Sequence, residues 1–209
     1  MHARSAATFD ISRERALQLF ADEGFGQVSL RRLASHMGIS TATLYTHVAG
    51  KEELLFDALE EHYEHLLLLL AERGVRGEPA VRPRVQRLSR ALVELYRHCP
   101  SRFLLATRER HCLRDGHRRR IDSLRRRIAE QLGTWLQGGE ALAAGRVLLD
   151  LIEHLPLWLA AHGLTAQQQT RLVDALLLGS LPGLRQLPSP EPILPTEVTQ
   201  HAQLQGRSA

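Results

Sequence analysis

Residues 41–47 carry a dense run of side chains with hydroxyl, phenol or imidazole groups: Thr41, Thr43, Tyr45, Thr46 and His47. Such groups hydrogen-bond to phosphate oxygens and to base edges in the major groove of DNA. The apolar residues Leu44 and Val48 are four positions apart, so a helix through this segment would bury them on one face. The chemistry that this pattern indicates is recognition of a DNA duplex.

A tight turn is predicted just before this helix. Gly38 can adopt the positive φ that suits the C-terminal end of a helix, and Ser40 can cap the helix that follows. Ser29 can cap the preceding helix, whose apolar face comprises Leu30, Leu33, Ala34 and Met37. Residues 28–51 therefore predict two short helices joined by a turn and followed by a long helix. This is the layout of a helix-turn-helix unit.

Short motifs spread over residues 16–59 agree with one family in residue type and spacing. They are Leu-Phe-Ala-x-x-Gly at 19–24, Arg-x-Leu-Ala at 31–34, Gly-Ile-Ser at 38–40, Thr-Leu-Tyr-x-His at 43–47 and Lys-Glu-Glu-Leu at 51–54. With these motifs the segment resembles the N-terminal domain of the tetracycline-repressor (TetR) family of bacterial transcriptional regulators. It departs from the family at Val48, where many members have Phe, and at Thr46, where aromatic or His side chains are common.

The resemblance implies roles for individual residues on operator DNA. The expected phosphate ligands are Ser29, Tyr45, His47 and Lys51. The expected base contacts are Arg31, Thr41 and Thr43, and Thr46 belongs to the same DNA-binding set. Lys51 opens a helix, where a cation is unfavourable beside the positive end of the helix dipole, and a bound phosphate would explain it. Acidic residues balance basic ones in residues 1–57, so DNA binding would depend on a few well-placed cations in a dimer.

Composition favours an all-α protein. The chain has 209 residues, is rich in Leu and Ala and lacks runs of β-branched residues, and its pattern predicts about nine helices. The net charge of +4 does not identify a partner, and Cys99 and Cys112 are too few for a disulfide scaffold. The first ten residues lack the apolar core of a signal peptide, and the longest apolar run, 66–71, is too short to cross a bilayer. We expect a soluble cytoplasmic protein that does not contact membranes.

Three parts are predicted along the chain. Residues 1–55 form the helix-turn-helix DNA-binding domain, residues 56–181 form a helical domain, and residues 182–209 form a disordered tail. The fourth helix is expected to run from residue 51 to about residue 73, before a Gly- and Pro-containing linker at 74–83. Pro156 should kink or end the helix that contains it.

The resemblance implies that the second domain binds a small-molecule effector and forms a homodimer. Apolar stripes on the last two predicted helices, 140–161 and 166–180, fit a four-helix interface between protomers. The candidate apolar walls of an effector pocket are Leu92, Tyr96, Phe103, Leu104, Trp135 and Trp158. His98 and His154, with Glu94, are candidate orienting groups. Each of these side chains could instead belong to the plain hydrophobic core.

Two further clusters admit a functional interpretation and an ordinary one. Nine arginines lie in residues 108–127 and could hold an anionic ligand or nucleic acid. The ordinary interpretation is a solvated helix face with Ile121, Leu124 and Ile128 pointing inward, and we favour it. The second cluster consists of Glu61, His62, Glu64 and His65. It could ligate zinc, but no second cluster completes a site, so we expect neither a metal nor a cofactor.

No catalytic constellation stands out, so we expect no enzyme activity. The sequence therefore predicts a sequence-specific, DNA-binding transcriptional regulator. The resemblance implies a repressor that a small-molecule effector releases from its operator. The alternative is a helical protein-interaction module that does not bind DNA. Salt dependence separates the two, because DNA binding weakens steeply as salt rises.

Overall fold

The computed structural model describes residues 2–71, 80–135, 140–160 and 163–184, with side chains from residue 12 onward. Within these ranges the chain forms ten α-helices, two short 3-10 helices and no strand. The predicted all-α fold is confirmed, with one helix more than expected. None of the helices in these ranges is long and apolar enough to cross a membrane.

The N-terminal helices are α1 His2–Glu23, α2 Leu30–Met37, α3 Thr41–His47 and α4 Lys51–Ala71. A 3-10 turn, Phe25–Gln27, joins α1 to α2. α1 packs against α2, and α2 against α3. The fourth helix continues without a break past residue 55, where the sequence places a domain boundary. It therefore belongs to both predicted domains. Most of the predicted linker lies at residues 72–79, outside the described residues.

The second half of the chain contains α5 Val81–His98, α6 Pro100–Arg108, α7 Asp115–Gly133, α8 Ala141–Glu153, α9 Leu155–Leu159 and α10 Ala166–Leu184. The predicted helix at 140–161 is two helices, because Pro156 lies in the first turn of α9 and cannot donate the hydrogen bond that would continue α8. α10 continues to residue 184, so the first three residues of the predicted tail are helical. Residues 185–209 lie outside the described residues.

Helices α7 and α8 cross closely, and glycines permit it. A Cβ atom added at Gly145 would lie 1.9 Å from the carbonyl oxygen of Ala129, and one added at Gly133 would lie 2.2 Å from that of Ala141. Only residues without a side chain allow the two backbones to approach this closely. α4 packs on α7, and α5 packs on α10. The buried side of α4 therefore faces the body formed by α5–α10.

Candidate nucleic-acid interface

The turn between α2 and α3 ends the first helix through a left-handed glycine. Gly38 has φ 73°, a conformation that a residue with a side chain adopts only at a cost. Its backbone N–H donates to the carbonyl of Ser35 at 3.2 Å, and that of Ile39 donates to Ala34 at 3.0 Å. These bonds satisfy the last carbonyls of α2. The predicted helix end is confirmed.

A serine hydroxyl caps the N-terminus of each of the two short helices, α2 and α3. Ser40 accepts a hydrogen bond from the backbone N–H of Thr43 at 2.9 Å. Ser29 accepts one from the backbone N–H of Arg32 at 3.2 Å. Both serines have the extended backbone of an N-cap residue. The sequence predicted both caps, and the structure confirms them.

The apolar side of the unit faces inward. The buried residues of α2, α3 and the loop that follows are Leu33, Ala34, Met37, Leu44 and Val48. Leu30 and Ile39 pack against this core while partly exposed. The burial of Leu44 and Val48 orients α3, so that the opposite face of this helix points to solvent.

Most of the predicted DNA-binding residues are open to solvent. The exposed ones are Ser29, Arg31, Thr43, Tyr45, Thr46 and His47, whereas Thr41 and Lys51 are half-buried. Tyr45 is 55% exposed, although large aromatic side chains are usually covered. The phenol ring of Tyr45 and several polar groups around it in the sequence are therefore exposed to solvent. Their contacts with DNA remain predictions.

The threonine hydroxyls of α3 are already oriented by their own helix. Thr46 donates its hydroxyl proton to the carbonyl of Thr43 at 2.7 Å. The Thr43 hydroxyl lies 2.8 Å from that of Ser40. The Thr46 hydroxyl proton already lies in this hydrogen bond, so the Thr46 oxygen is available to a partner from solvent only as an acceptor. An acceptor in this position suits the amino groups of adenine or cytosine in the major groove.

Lys51 has a role within the fold that the sequence did not reveal. Its ammonium donates to the carbonyl oxygens of Phe25 at 2.7 Å and Val28 at 2.8 Å. It also lies 4.4 Å from the centroid of the Phe25 ring. These contacts explain a cation at the start of α4 without a phosphate. An ammonium has three N–H donors, so the third could still reach a phosphate oxygen. Contact between Lys51 and a phosphate stays a prediction.

The first turn of α4 is held to α7 by polar and stacking contacts. Glu52 accepts from His117 Nδ1 at 2.8 Å and from the backbone N–H of Arg114 at 3.1 Å. The Arg114 guanidinium also contacts Glu53 at 3.1 Å. The His117 ring stacks on Phe56 with a centroid distance of 3.8 Å. The start of α4, beside the helix-turn-helix unit, is thus tied to the helical body.

Most of the arginine-rich segment is engaged in ion pairs. The pairs are Arg110 with Asp122, Arg114 with Glu52 and Glu53, Arg118 with Asp115, Arg120 with Glu60 and Glu64, and Arg125 with Asp150 and Glu153. Ile121, Leu124 and Ile128 are buried, as predicted. The segment is therefore a polar helix face with an apolar inner side, and three of its arginines bind acidic residues of α4 or α8.

A buried polar network in the body has no counterpart in the sequence analysis. The Tyr63 hydroxyl donates to Glu153 Oε1 at 2.7 Å, and Arg125 donates to both carboxylate oxygens of Glu153 at 2.7 Å. Glu153 is 5% exposed. Burial raises the pKa of Tyr63 well above its usual value, and the hydrogen bond to Glu153 raises the pKa of Arg125. The network joins α4, α7 and α8.

His62 is the buried side chain of α4 that sequence reasoning placed in a zinc cluster. Its ring lies 4.5 Å from that of Phe103 and 5.1 Å from that of Tyr63, measured between centroids. Its Nε2 has no hydrogen-bond partner within the described part of the chain. Burial lowers the pKa of His62 to about 3, so the imidazole is neutral at physiological pH.

The other residues of the candidate zinc cluster have partners or surroundings of their own, away from the His62 ring. Glu61 binds Arg102 at 2.6 Å and Arg13 at 3.0 Å, and Glu64 binds Arg120 at 3.0 Å. His65 is exposed on the outer side of the helix. The acidic members of the cluster therefore neutralise arginines.

The candidate pocket residues are distributed over several environments. Leu92, Tyr96, Phe103 and Trp135 are buried, and Leu104, His154 and Trp158 are half-buried. The rings of Tyr96 and Phe103 lie 5.7 Å apart, edge to face. Trp135 lines a cavity of about 150 Å³ with Leu70 and Arg84. Tyr96 and Phe103 are thus brought together, and Phe103 also contacts His62, a residue outside the predicted pocket set.

The two histidines proposed as orienting groups contact their own helices. His98 Nδ1 lies 2.8 Å from the carbonyl oxygen of Glu94, and His154 Nδ1 lies 2.7 Å from that of Asp150. His98 is exposed. In the structure, burial and an unpartnered Nε2 distinguish His62 as the polar group that could face a ligand. The sequence signal for it was only its place on the apolar side of α4.

Comparison with known proteins gives one family for the N-terminal part. Residues 13–58 match the model of the family described as bacterial regulatory proteins, tetR family. No curated protein matches the sequence significantly. The matched segment contains α2, α3 and the first turns of α4, so it covers the interface described above. The family consists of non-enzymatic regulators, in agreement with the expectation from the sequence.

Solved structures match over most of the chain. A TetR-family transcriptional regulator from Bordetella parapertussis has a TM-score of 0.71 and 19% identity, covering 81% of this chain and 93% of its own. The regulator PfmR from Thermus thermophilus has a TM-score of 0.69 and 22% identity, covering 80% and 97%. AibR, solved with isovaleryl coenzyme A and operator DNA, has a TM-score of 0.68 and 19% identity, covering 81% and 97%. At these identities the likeness shows the fold.

Proposed function

We propose that this chain, whose residues 13–58 match the tetR family of bacterial regulatory proteins, is a DNA-binding transcriptional repressor that a small-molecule effector releases from its operator. The observation that carries the proposal is the outward face of α3. A short helix, capped at its N-terminus by Ser40, exposes Tyr45, Thr43 and Thr46 to solvent. In this proposal α3 enters the major groove, and Ser29 and Lys51 flank it at the phosphates.

We propose that the protein binds DNA as a homodimer through its last helices. Val147 on α8 is 41% exposed and Leu157 on α9 is 52% exposed. Leu172 and Leu178 on α10 are only partly buried. Apolar side chains on adjacent helix faces fit an interface with a second copy. Such a dimer would offer two copies of α3 to successive major grooves, roughly 34–36 Å apart.

The effector site is proposed beside α4, at the aromatic cluster of Tyr96 and Phe103. The buried Nε2 of His62 is a polar atom that a ligand could satisfy there. AibR was solved with both isovaleryl coenzyme A and operator DNA, and KstR2 of Mycobacterium tuberculosis is described as a ketosteroid transcriptional regulator. A ligand that prefers another position of α4 would shift the population away from the DNA-competent form.

Selection of bound sequences from a random duplex pool tests the DNA-binding proposal. We expect enrichment of a two-fold symmetric site bound by two protomers, with affinity that falls steeply between low and moderate salt. The alternative, a helical protein-interaction module, predicts no enriched duplex and little dependence on salt. Release is tested next, by screening a metabolite library for a fall in the anisotropy of the labelled duplex. An enriched site that no compound releases would contradict the effector half of the proposal.

A further inference from the structure

The 3-10 turn Arg110–Cys112 between α6 and α7, together with Glu109 just before it, gathers three different metal-ligating groups. Glu109, His111 and Cys112 offer a carboxylate oxygen, an imidazole nitrogen and a sulfur that all lie within 4.8 Å of one another. Cys112 Sγ lies 3.5 Å from Glu109 Oε2 and 3.4 Å from His111 Nε2. These three residues have no part in the proposed binding of DNA or effector.

These distances match those between ligands around one tetrahedral ion. With zinc–sulfur bonds of about 2.3 Å and zinc–nitrogen or zinc–oxygen bonds of about 2.0–2.1 Å, tetrahedral angles place sulfur roughly 3.5 Å from each neighbouring ligand atom. The sulfur of Cys112 therefore already lies at the separation from the other two donors that a bound ion requires. The turn brings them together within four consecutive residues, so little chain entropy is lost on binding.

We propose that Glu109, His111 and Cys112 form a three-ligand site for a borderline transition-metal ion such as Zn²⁺, with a fourth position open to water or a ligand. A thiolate with an imidazole and a carboxylate is a donor set that suits such an ion and does not suit Mg²⁺ or Ca²⁺. When the metal binds, the thiol of Cys112 gives its proton to solvent and its sulfur bonds to the ion.

The carboxylate of Glu109 also has an outer partner that orients it. Its second oxygen, Oε1, lies 3.4 Å from the backbone nitrogen of Phe25 and accepts a hydrogen bond from its N–H. Such partners of a ligating carboxylate fix its orientation toward the metal. Phe25 lies in the loop before α2, and its carbonyl accepts from Lys51. The site therefore lies where the helical body meets the helix-turn-helix unit.

A second group of potential ligands, Glu52, Glu53 and His117, is a weaker candidate. It contains no sulfur, and Arg114 already contacts both carboxylates. The His117 ring is stacked on Phe56. An ion there would compete with a guanidinium for the same oxygens. This group serves as an internal control for the site at Cys112.

Titration of the full, reduced chain with Co²⁺ tests the proposal, because thiolate-bound Co²⁺ absorbs by charge transfer from sulfur to metal. We expect the parent to develop this absorption with one equivalent of Co²⁺ and to lose it when Zn²⁺ is added. Cys112→Ser should abolish it, and His111→Gln should shift the titration to higher Co²⁺ concentrations. Cys99→Ser, which removes the other half-buried thiol, and His117→Gln should both behave like the parent.

The proposal is overturned if the parent shows no charge-transfer absorption, or if Cys112→Ser retains it. It is also overturned if Cys99→Ser or His117→Gln removes it. Circular dichroism of each variant checks that it is folded. His111 is exposed, so His111→Gln keeps the test decisive if Cys112→Ser fails to fold. None of these measurements requires DNA, so the result does not depend on the proposed function.

Discussion

The helix-turn-helix unit and the helical body are stabilised over different distances along the chain. In the unit, the caps join residues three positions apart, as from Ser29 to Arg32 and from Ser40 to Thr43. The body is joined to the rest of the chain by distant contacts: Tyr63 of α4 binds Glu153 across 90 positions, and Arg102 of α6 binds Glu14 of α1 across 88. Local contacts specify the interface with DNA, and distant buried contacts hold the body to which it is attached.

The two kinds of contact differ in energy as well. A helix cap contributes about 1 kcal/mol to stability. Removing one partner of a buried charge network costs several kcal/mol, because the remaining groups stay buried without a partner. We therefore expect the largest losses of stability from substitutions in the body, and the largest losses of DNA binding from substitutions in α3.

The largest effect on stability is expected for Glu153→Ala. The substitution leaves the buried Tyr63 hydroxyl and the half-buried Arg125 without their carboxylate, and should lower the free energy of unfolding by about 4 kcal/mol. Asp150→Ala is the matched control, because Asp150 contacts the same guanidinium at 3.3 Å but is exposed. It should cost less than about 0.5 kcal/mol. Equal losses in urea titrations of the two variants would refute the importance of the buried network.

Gly145→Ala should follow, with a loss of about 3 kcal/mol from overpacking. The new methyl group would lie 1.9 Å from the carbonyl oxygen of Ala129, so α7 and α8 must separate. Gly116→Ala, in the first turn of α7 with nothing near its added Cβ, should leave stability unchanged or raise it by up to about 1 kcal/mol. Thermal unfolding of both variants at one protein concentration measures the difference. A Gly145→Ala variant as stable as the parent would rule out the close crossing.

His62 should make the body sensitive to acid. Its pKa is about 3 in the folded chain against an ordinary value of 6.5. Between these values the unfolded chain binds a proton that the folded chain does not, so the free energy of unfolding falls as pH falls. The expected loss is about 2 kcal/mol from this group at pH 5. His62→Leu should remove that part of the pH dependence, whereas His65→Leu, at an exposed position, should keep it.

Urea titrations at pH 7 and pH 5 measure this difference. Between pH 7 and pH 5 the parent should lose more stability than His62→Leu does, by the contribution of the one imidazole. Identical pH dependence in the two proteins would show that His62 is not buried in its neutral form.

The smallest effect on stability is expected in the helix-turn-helix unit. Ser40→Ala removes the hydroxyl that caps α3 and should cost about 1 kcal/mol. Amide hydrogen exchange in residues 41–47 should rise correspondingly. Ser35→Ala, at an exposed position inside α2, should not raise it. Equal exchange in the two variants would mean that the cap does not stabilise α3.

Features that depend on contacts between neighbouring residues could be predicted from the sequence. Gly38 and Ser40 lie within a few residues of the groups that they bind, so the turn, the caps and the exposed face of α3 were predictable. Helical spacing likewise placed Ile121 and its neighbours inside. Arg102 is different, because it is 7% exposed and its partners Glu14 and Glu61 lie far away in sequence. No local pattern distinguishes such an arginine from one at the surface.

The candidate site in the body was less predictable for the same reason. Tyr96 and Phe103 were named from the sequence, but the contacts of Phe103 with Tyr96 and with His62 depend on how α4, α5 and α6 pack. Lys51 shows the same limit inside the N-terminal domain. Its two carbonyl partners belong to a loop 23 and 26 positions earlier in the chain.

Fluorescence anisotropy with a selected operator duplex tests the central claim, that the outer face of α3 reads DNA. We predict that Thr43→Ala and Tyr45→Ala each weaken binding about tenfold, with Thr43→Ala also relaxing the preference at one base pair. His65→Ala, exposed on α4 away from α3, should bind like the parent. If Thr43→Ala and Tyr45→Ala both bind the duplex as tightly as the parent, the assignment of α3 to the major groove is contradicted.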